Sequence, residues 1–111
     1  MSDNQELQKP TIDLGLKRKG ELDENALTAF GGQLGYALSK LLAGAQPFLN
    51  VKGNPAEIAS LAATLGMEKR HLENIIKYGP NSPQAMSSLR QVDRIAHRFQ
   101  DVTGIPWPFT S

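Results

Sequence analysis

Three arginines, Arg90, Arg94 and Arg98, recur at intervals of four in the C-terminal part of the chain. On an α-helix this spacing places the three guanidinium groups on one face, and such a row is suited to following a phosphate backbone. Asp93 and Asp101 lie within one turn of these arginines, so ordinary surface ion pairs are the alternative interpretation. The row therefore predicts either contacts with phosphates or a solvated helix face.

Patterns of catalytic residues are absent from the sequence. The chain of 111 residues has no cysteine and only two histidines, which excludes thiolate chemistry and argues against a metal site. No combination of serine, histidine and an acid suggests a triad, and no glycine-rich run follows a strand to hold a phosphate-bearing cofactor. We therefore expect no enzyme activity, no cofactor, no metal and no small-molecule substrate.

The N-terminal stretch Met1–Lys19 is polar and lacks the apolar core of a secretory signal. The longest weakly charged stretch, Ala26–Leu49, contains Lys40, Pro47 and four glycines, which argues against a membrane span. With the absence of cysteine, these features favour a cytoplasmic protein without a membrane role.

The formal net charge is only +1, but the charges are unevenly distributed along the chain. The first 24 residues carry four Lys/Arg against six Asp/Glu, whereas Val51–Phe99 carries seven against four and both histidines. An anionic partner is therefore expected to face the second half of the chain.

Apolar periodicity predicts an all-α domain, a small bundle of about four helices that spans residues 21–103. A flexible arm at 1–20 precedes it, and an extended tail at 104–111 contains two prolines and follows it. Within the arm, a short edge strand at Thr11–Leu16 is the alternative, because apolar residues alternate there. The first helix is expected from Asp23 to about Ala43, and Gly44–Gly53 is expected to be a loop whose Phe48 contacts the core.

The second helix has a clear start, because Asn54 and Pro55 supply a cap and a first-turn proline, and Glu57 completes a capping box. Gly66 is expected to end this helix in a turn, and Ala62, four positions earlier, is the small residue that a helix-turn-helix requires where its helices cross. The third helix is then predicted at residues 67–78, and the fourth from Ser82 to about residue 102.

The segment from Ile58 to Gly79 resembles the helix-turn-helix of the phage Cro repressors. Residues 54–79 are also similar to the C-terminal motif of the Fis family, in which the helix-turn-helix follows Gly-Asn and closes with Lys-Tyr-Gly. The resemblance implies a DNA-binding protein whose recognition helix spans residues 68–77. The outward positions that it assigns to DNA contact are Glu68, Lys69, Arg70, Glu73, Asn74 and Lys77.

In that interpretation, Arg70 is suited to guanine, Asn74 to adenine and Glu73 to cytosine. Lys69 and Lys77 are suited to phosphates, which position a protein without reading sequence. Because a single recognition helix buries too little surface for specific affinity, a homodimer or higher oligomer is expected.

The expected function is therefore that of a small double-stranded-DNA-binding protein, either a transcriptional regulator or a nucleoid-type protein. The two carboxylates of Glu68 and Glu73 on the proposed contact surface count against it. The alternative is a non-enzymatic interaction or assembly protein, such as an adaptor or a structural component of a phage or secretion machine. Trp107 and Phe109 in the tail would then fill a partner's pocket, although such aromatic residues also cover a protein's own core.

Overall fold

The computed structural model describes residues 11–46 and 49–109 of the chain. The first ten residues of the predicted arm, the predicted core contact of Phe48 and the last two residues of the tail lie outside these ranges. The elements, in chain order, are β1 (Thr11–Asp13), α1 (Leu16–Lys19), α2 (Glu24–Leu42), β2 (Asn50–Lys52), α3 (Pro55–Tyr78) and α4 (Pro83–Thr103). The mainly helical class is confirmed, with a small sheet in addition.

The α3 helix is continuous over 24 residues, so the prediction of two helices that meet at Gly66 is wrong. Gly66 lies in the helix interior and does not have a positive φ. A glycine inside a helix costs only about 1 kcal/mol relative to alanine, and the preceding Ala62, Ala63 and Leu65 are strong helix formers. Residues 54–79 therefore do not form a helix-turn-helix.

The buried positions of α3 explain why the helix continues through Gly66. Leu61, Leu65, Glu68 and His71 are all buried and follow one another at spacings of three or four residues on both sides of the glycine. A turn at Gly66 would interrupt this single buried face, whereas a continuous helix keeps it against the rest of the protein.

Three of the four predicted helix starts are confirmed by side-chain caps. The Glu57 amide donates to Asn54 Oδ1 at 2.8 Å, and the Asn54 amide donates to Glu57 Oε1 at 2.9 Å, which completes the capping box. Asp23 and Ser82 cap α2 and α4 in the same manner through their side-chain oxygens.

The strands β1 and β2 form a parallel pair, with Ile12 opposite Val51. The Leu14 amide extends the pairing by donating to the Lys52 carbonyl at 2.8 Å. Ile12 and Leu14 are fully buried, so the prediction of a flexible arm is wrong for residues 11–20 and the alternative of a short strand is confirmed at 11–13. The predicted loop at 44–53 likewise contains β2.

The core lies where α2, α3, α4, β1 and the tail meet. Phe99 stacks on Phe30 with ring centroids 6.0 Å apart, and Trp107 packs edge-on against Phe99 at 5.1 Å. Ile105 and Trp107 of the tail therefore belong to the core. The buried cluster consists of Ile12, Leu14, Phe30, Leu34, Leu38, Leu61, Leu65, Ala96, Phe99, Ile105 and Trp107.

The helices α3 and α4 form an antiparallel hairpin across a short turn at residues 79–82. His71 Nδ1 lies 2.8 Å from Ser88 Oγ, and Asn74 Nδ2 donates to the Gln84 carbonyl at 3.3 Å, so later residues of α3 meet earlier residues of α4. In the part of the chain that the structure describes, no helix combines the length and the apolar character needed to cross a membrane.

Candidate nucleic-acid interface

Glu68 is not available for DNA contact, contrary to the prediction. It is only 3% exposed, and its Oε1 accepts a hydrogen bond from Trp107 Nε1 at 2.9 Å. The burial follows from the continuous α3 helix, which turns position 68 toward the core and not toward solvent. One of the two carboxylates that count against an anionic partner is thereby removed from the surface.

Trp107 is not available for the predicted contact with a partner, because it is 5% exposed and packed in the core. Phe109 lies edge-on to Trp107 at 5.8 Å between ring centroids and remains 39% exposed. Of the two tail aromatics, only Phe109 is therefore available to a partner.

Lys69 and Glu73 pair with each other across one turn of α3. Lys69 Nζ lies 3.1 Å from Glu73 Oε2, with both side chains partly exposed. An exposed pair of this kind contributes only a few tenths of a kcal/mol to stability, but it offsets the charge of the second carboxylate on this surface. Taken together, the two residues therefore add no net charge to the surface.

Arg70, Asn74 and Lys77 remain on the outer flank of α3. Arg70 and Lys77 are exposed, and the Lys77 ammonium lies 5.2 Å from the centroid of the Tyr78 ring. Asn74 is half-buried, and its amide nitrogen is engaged by the Gln84 carbonyl.

The row of arginines on α4 is exposed, as the spacing predicts, at Arg90, Arg94 and Arg98. Among residues 11–46 and 49–109, no carboxylate lies within ion-pair distance of these three guanidinium groups. The alternative that Asp93 and Asp101 pair with them is therefore not realised in the described part of the protein. At a rise of about 1.5 Å per residue the row is about 12 Å long.

Two clefts of the hairpin, both bordered by Gln91, are lined by cations of the two predicted groups. Arg70 and Asn74 line a cleft of about 520 Å³ whose opposite wall includes Gln91. Gln91 also lines the next cleft, of about 410 Å³, together with Arg94 and Arg98. Both clefts are formed by α3 and α4 alone. We call Arg70, Lys77, Arg90, Arg94 and Arg98 the basic face.

Several polar residues of this surface were not predicted. They are α4 residues that alternate at spacings of three and four and continue the line of the arginines, namely Gln84, Ser87 and Gln91. This spacing can be read from the sequence as a polar stripe along α4. Which residues of α3 face the stripe depends on the register of the hairpin.

An ion pair between Arg18 and Glu57 links the N-terminal part of the chain to α3. Arg18 donates from Nε and a terminal nitrogen to the two oxygens of buried Glu57, at 3.0 and 2.8 Å. These hydrogen bonds hold the pKa of Glu57 below its usual value, assisted by the bond from the Asn54 amide and opposed by burial. The pair fixes α1 against the start of α3.

The described residues contain no group of three or more histidine or acidic side chains arranged to hold a metal ion. The exposed side chains of the basic face supply hydrogen-bond donors and positive charge. Comparison with protein-family models, with curated proteins and with solved structures gives no match.

Proposed function

We propose that the protein binds double-stranded DNA through the basic face, mainly by contacts with phosphates. The observation that carries this proposal is that five cations on one hairpin have no carboxylate within ion-pair distance in the described residues. Guanidinium groups present fixed, bidentate donors that match phosphate oxygens, and clefts between them offer room for the backbone.

The mode of binding differs from that of a helix-turn-helix. Because α3 packs along α4 and is not a short protruding helix, only its outer flank is open to a ligand. We therefore expect phosphate contacts to supply most of the affinity, and Arg70 and Asn74 are the candidates for contact with base edges.

A salt titration tests the proposal. Fluorescence anisotropy with a random-sequence duplex should give a log–log salt dependence with a slope of about −4.5 when five phosphates are neutralised. The double variant Arg94→Glu/Arg98→Glu should weaken binding and reduce the magnitude of the slope by about 2. The matched control Lys40→Glu/Lys52→Glu makes the same charge change at exposed positions outside the basic face and should retain the slope.

Two results would contradict the proposal. One is binding that does not respond to salt, and the other is equal weakening by the matched control. Selection of duplexes from a random pool then tests base reading, because Arg70→Ala and Asn74→Ala should relax any preference that the wild type shows.

We propose as a second candidate that the protein self-associates through Leu42, Ile76 and Tyr78. They line one depression, whose other walls are the polar residues Arg70, Glu73, Asn74 and Lys77. Ile76 is 76% exposed, an unusual degree for an isoleucine. Light scattering coupled to size exclusion should show a homodimer or higher oligomer that Ile76→Asp dissociates. Val102→Asp, at another exposed apolar position near the end of α4, is the control and should leave the mass unchanged.

A further inference from the structure

A groove on another part of the protein is lined almost entirely by apolar side chains. It has a volume of about 630 Å³ and lies between α2, the hairpin and the tail. Its size falls within the range of small-molecule sites in proteins. The apolar walls include Leu38, Leu42, Leu72, Ile75, Leu89 and Val92.

Two polar side chains, Glu68 and His71, also line the groove. They lie one turn apart on α3 and are 3% and 8% exposed. Glu68 uses Oε1 to accept from Trp107 Nε1, and in the described part of the chain its Oε2 has neither a hydrogen bond nor an ion pair. One carboxylate oxygen is therefore unoccupied.

The contact of His71 with Ser88 determines which imidazole nitrogen is unoccupied. His71 Nδ1 lies 2.8 Å from Ser88 Oγ, and the same hydroxyl lies 3.1 Å from the Ala85 carbonyl, so Nδ1 is the engaged nitrogen. In the tautomer with the proton on Nδ1, the other ring nitrogen, Nε2, is a hydrogen-bond acceptor. No described residue donates to that nitrogen.

Glu68 Oε2 and His71 Nε2 are not completely buried. Among the described residues, the only fully buried side-chain nitrogen or oxygen without a partner is Ser60 Oγ, so Glu68 Oε2 and His71 Nε2 are not sealed inside the protein. No lysine or arginine of the described chain lines the groove. The groove thus combines apolar walls with one carboxylate, one imidazole and no lysine or arginine among the described residues.

From this arrangement we infer that the groove binds a small organic amine. An apolar ring or chain would pack between the leucines, and its ammonium group would donate to Glu68 Oε2 and His71 Nε2. Charge-assisted hydrogen bonds of this kind are about twice as strong as neutral ones, so an amine is favoured over an alcohol of the same shape.

The test uses three probes of similar shape, 2-phenylethylamine, 2-phenylethanol and 3-phenylpropanoate, titrated into the full-length protein and followed by amide chemical shifts. We expect the amine to bind at least about tenfold more tightly than the alcohol, with the carboxylate weakest. The shifts should centre on Leu38, Leu72 and Leu89. Equal affinities for amine and alcohol, or no shift with any probe, would overturn the inference.

Two variants locate the site. Glu68→Gln keeps an acceptor for Trp107 but removes the charge, so it should abolish the preference for the amine. Glu73→Gln makes the same chemical change on the outer flank of α3 and should leave affinity unchanged; equal weakening by both would reject the site. If Glu68→Gln does not fold, the variant Ser39→Phe tests the site instead. Phenylalanine at this position fills the groove from the α2 wall and should block binding of the amine.

Discussion

The substitution Gly66→Ala changes the stability of the protein in opposite directions for a continuous α3 and for a helix-turn-helix. In the structure a Cβ at this position meets no atom within 4 Å, and the backbone is helical. Alanine should therefore stabilise the protein by about 1 kcal/mol through its higher helix propensity. An unfolding entropy of about 2.1 cal/mol/K per residue gives about 0.23 kcal/mol/K for this chain, so the Tm should rise by about 4 °C.

A turn at Gly66 would have the opposite consequence. Left-handed backbone costs an alanine about 1–2 kcal/mol, so the Tm would fall by about 4–9 °C. Thermal unfolding followed by far-UV circular dichroism measures the difference. Gly79→Ala is the matched control, because Gly79 has a φ of 95° and the substitution should destabilise. If Gly66→Ala lowers the Tm as Gly79→Ala does, α3 is not continuous and our reasoning is refuted.

Three further predictions concern buried polar groups. Trp107→Phe leaves the Glu68 carboxylate without its donor and should lower the free energy of unfolding in urea by about 1.5–3 kcal/mol. In a Glu68→Leu background the same substitution should cost less. An equal cost in both backgrounds would show that the hydrogen bond is not its source. The lowered pKa of Glu57 predicts a contribution to stability that is present above its ordinary pKa of 4.5 and is lost as the pH falls through the lowered value. Unfolding measured between pH 7 and pH 3 should show this loss in the wild type and a flatter profile in Glu57→Gln. Ser60→Ala removes a buried hydroxyl without a partner and should raise the free energy of unfolding by about 0.5–1 kcal/mol. A lower free energy of unfolding would indicate that the hydroxyl makes a hydrogen bond.

The helix starts could be predicted because their causes are local. Asp23, Asn54 and Ser82 each bond to an amide three residues ahead, and a cap of this kind is readable from neighbouring letters. The turn at Gly66 was wrongly predicted because a glycine after an apolar run fits both a helix end and a tolerated interior position. The choice depends on whether the buried face continues, and that depends on tertiary packing.

The site was predictable only in its separate parts. The row Arg90, Arg94 and Arg98 follows from spacing alone, and the structure leaves it exposed. Its position relative to Arg70 depends on the register of the hairpin, and the hydrogen bond between Glu68 and Trp107 joins residues that are far apart in the sequence. Pairings between distant residues have no periodic signature, so the sequence contains no local signal for them.

The parallel sheet has a consequence for the order in which the chain folds. Its two strands come from opposite sides of α2, so α1, α2 and the following segment form one large loop that closes only when the strands pair. Closing such a loop costs entropy before any contact compensates for it, whereas α3 and α4 meet across a short turn. We therefore expect the surface that carries the arginines to take shape early, and the N-terminal half to assemble on it as a late event.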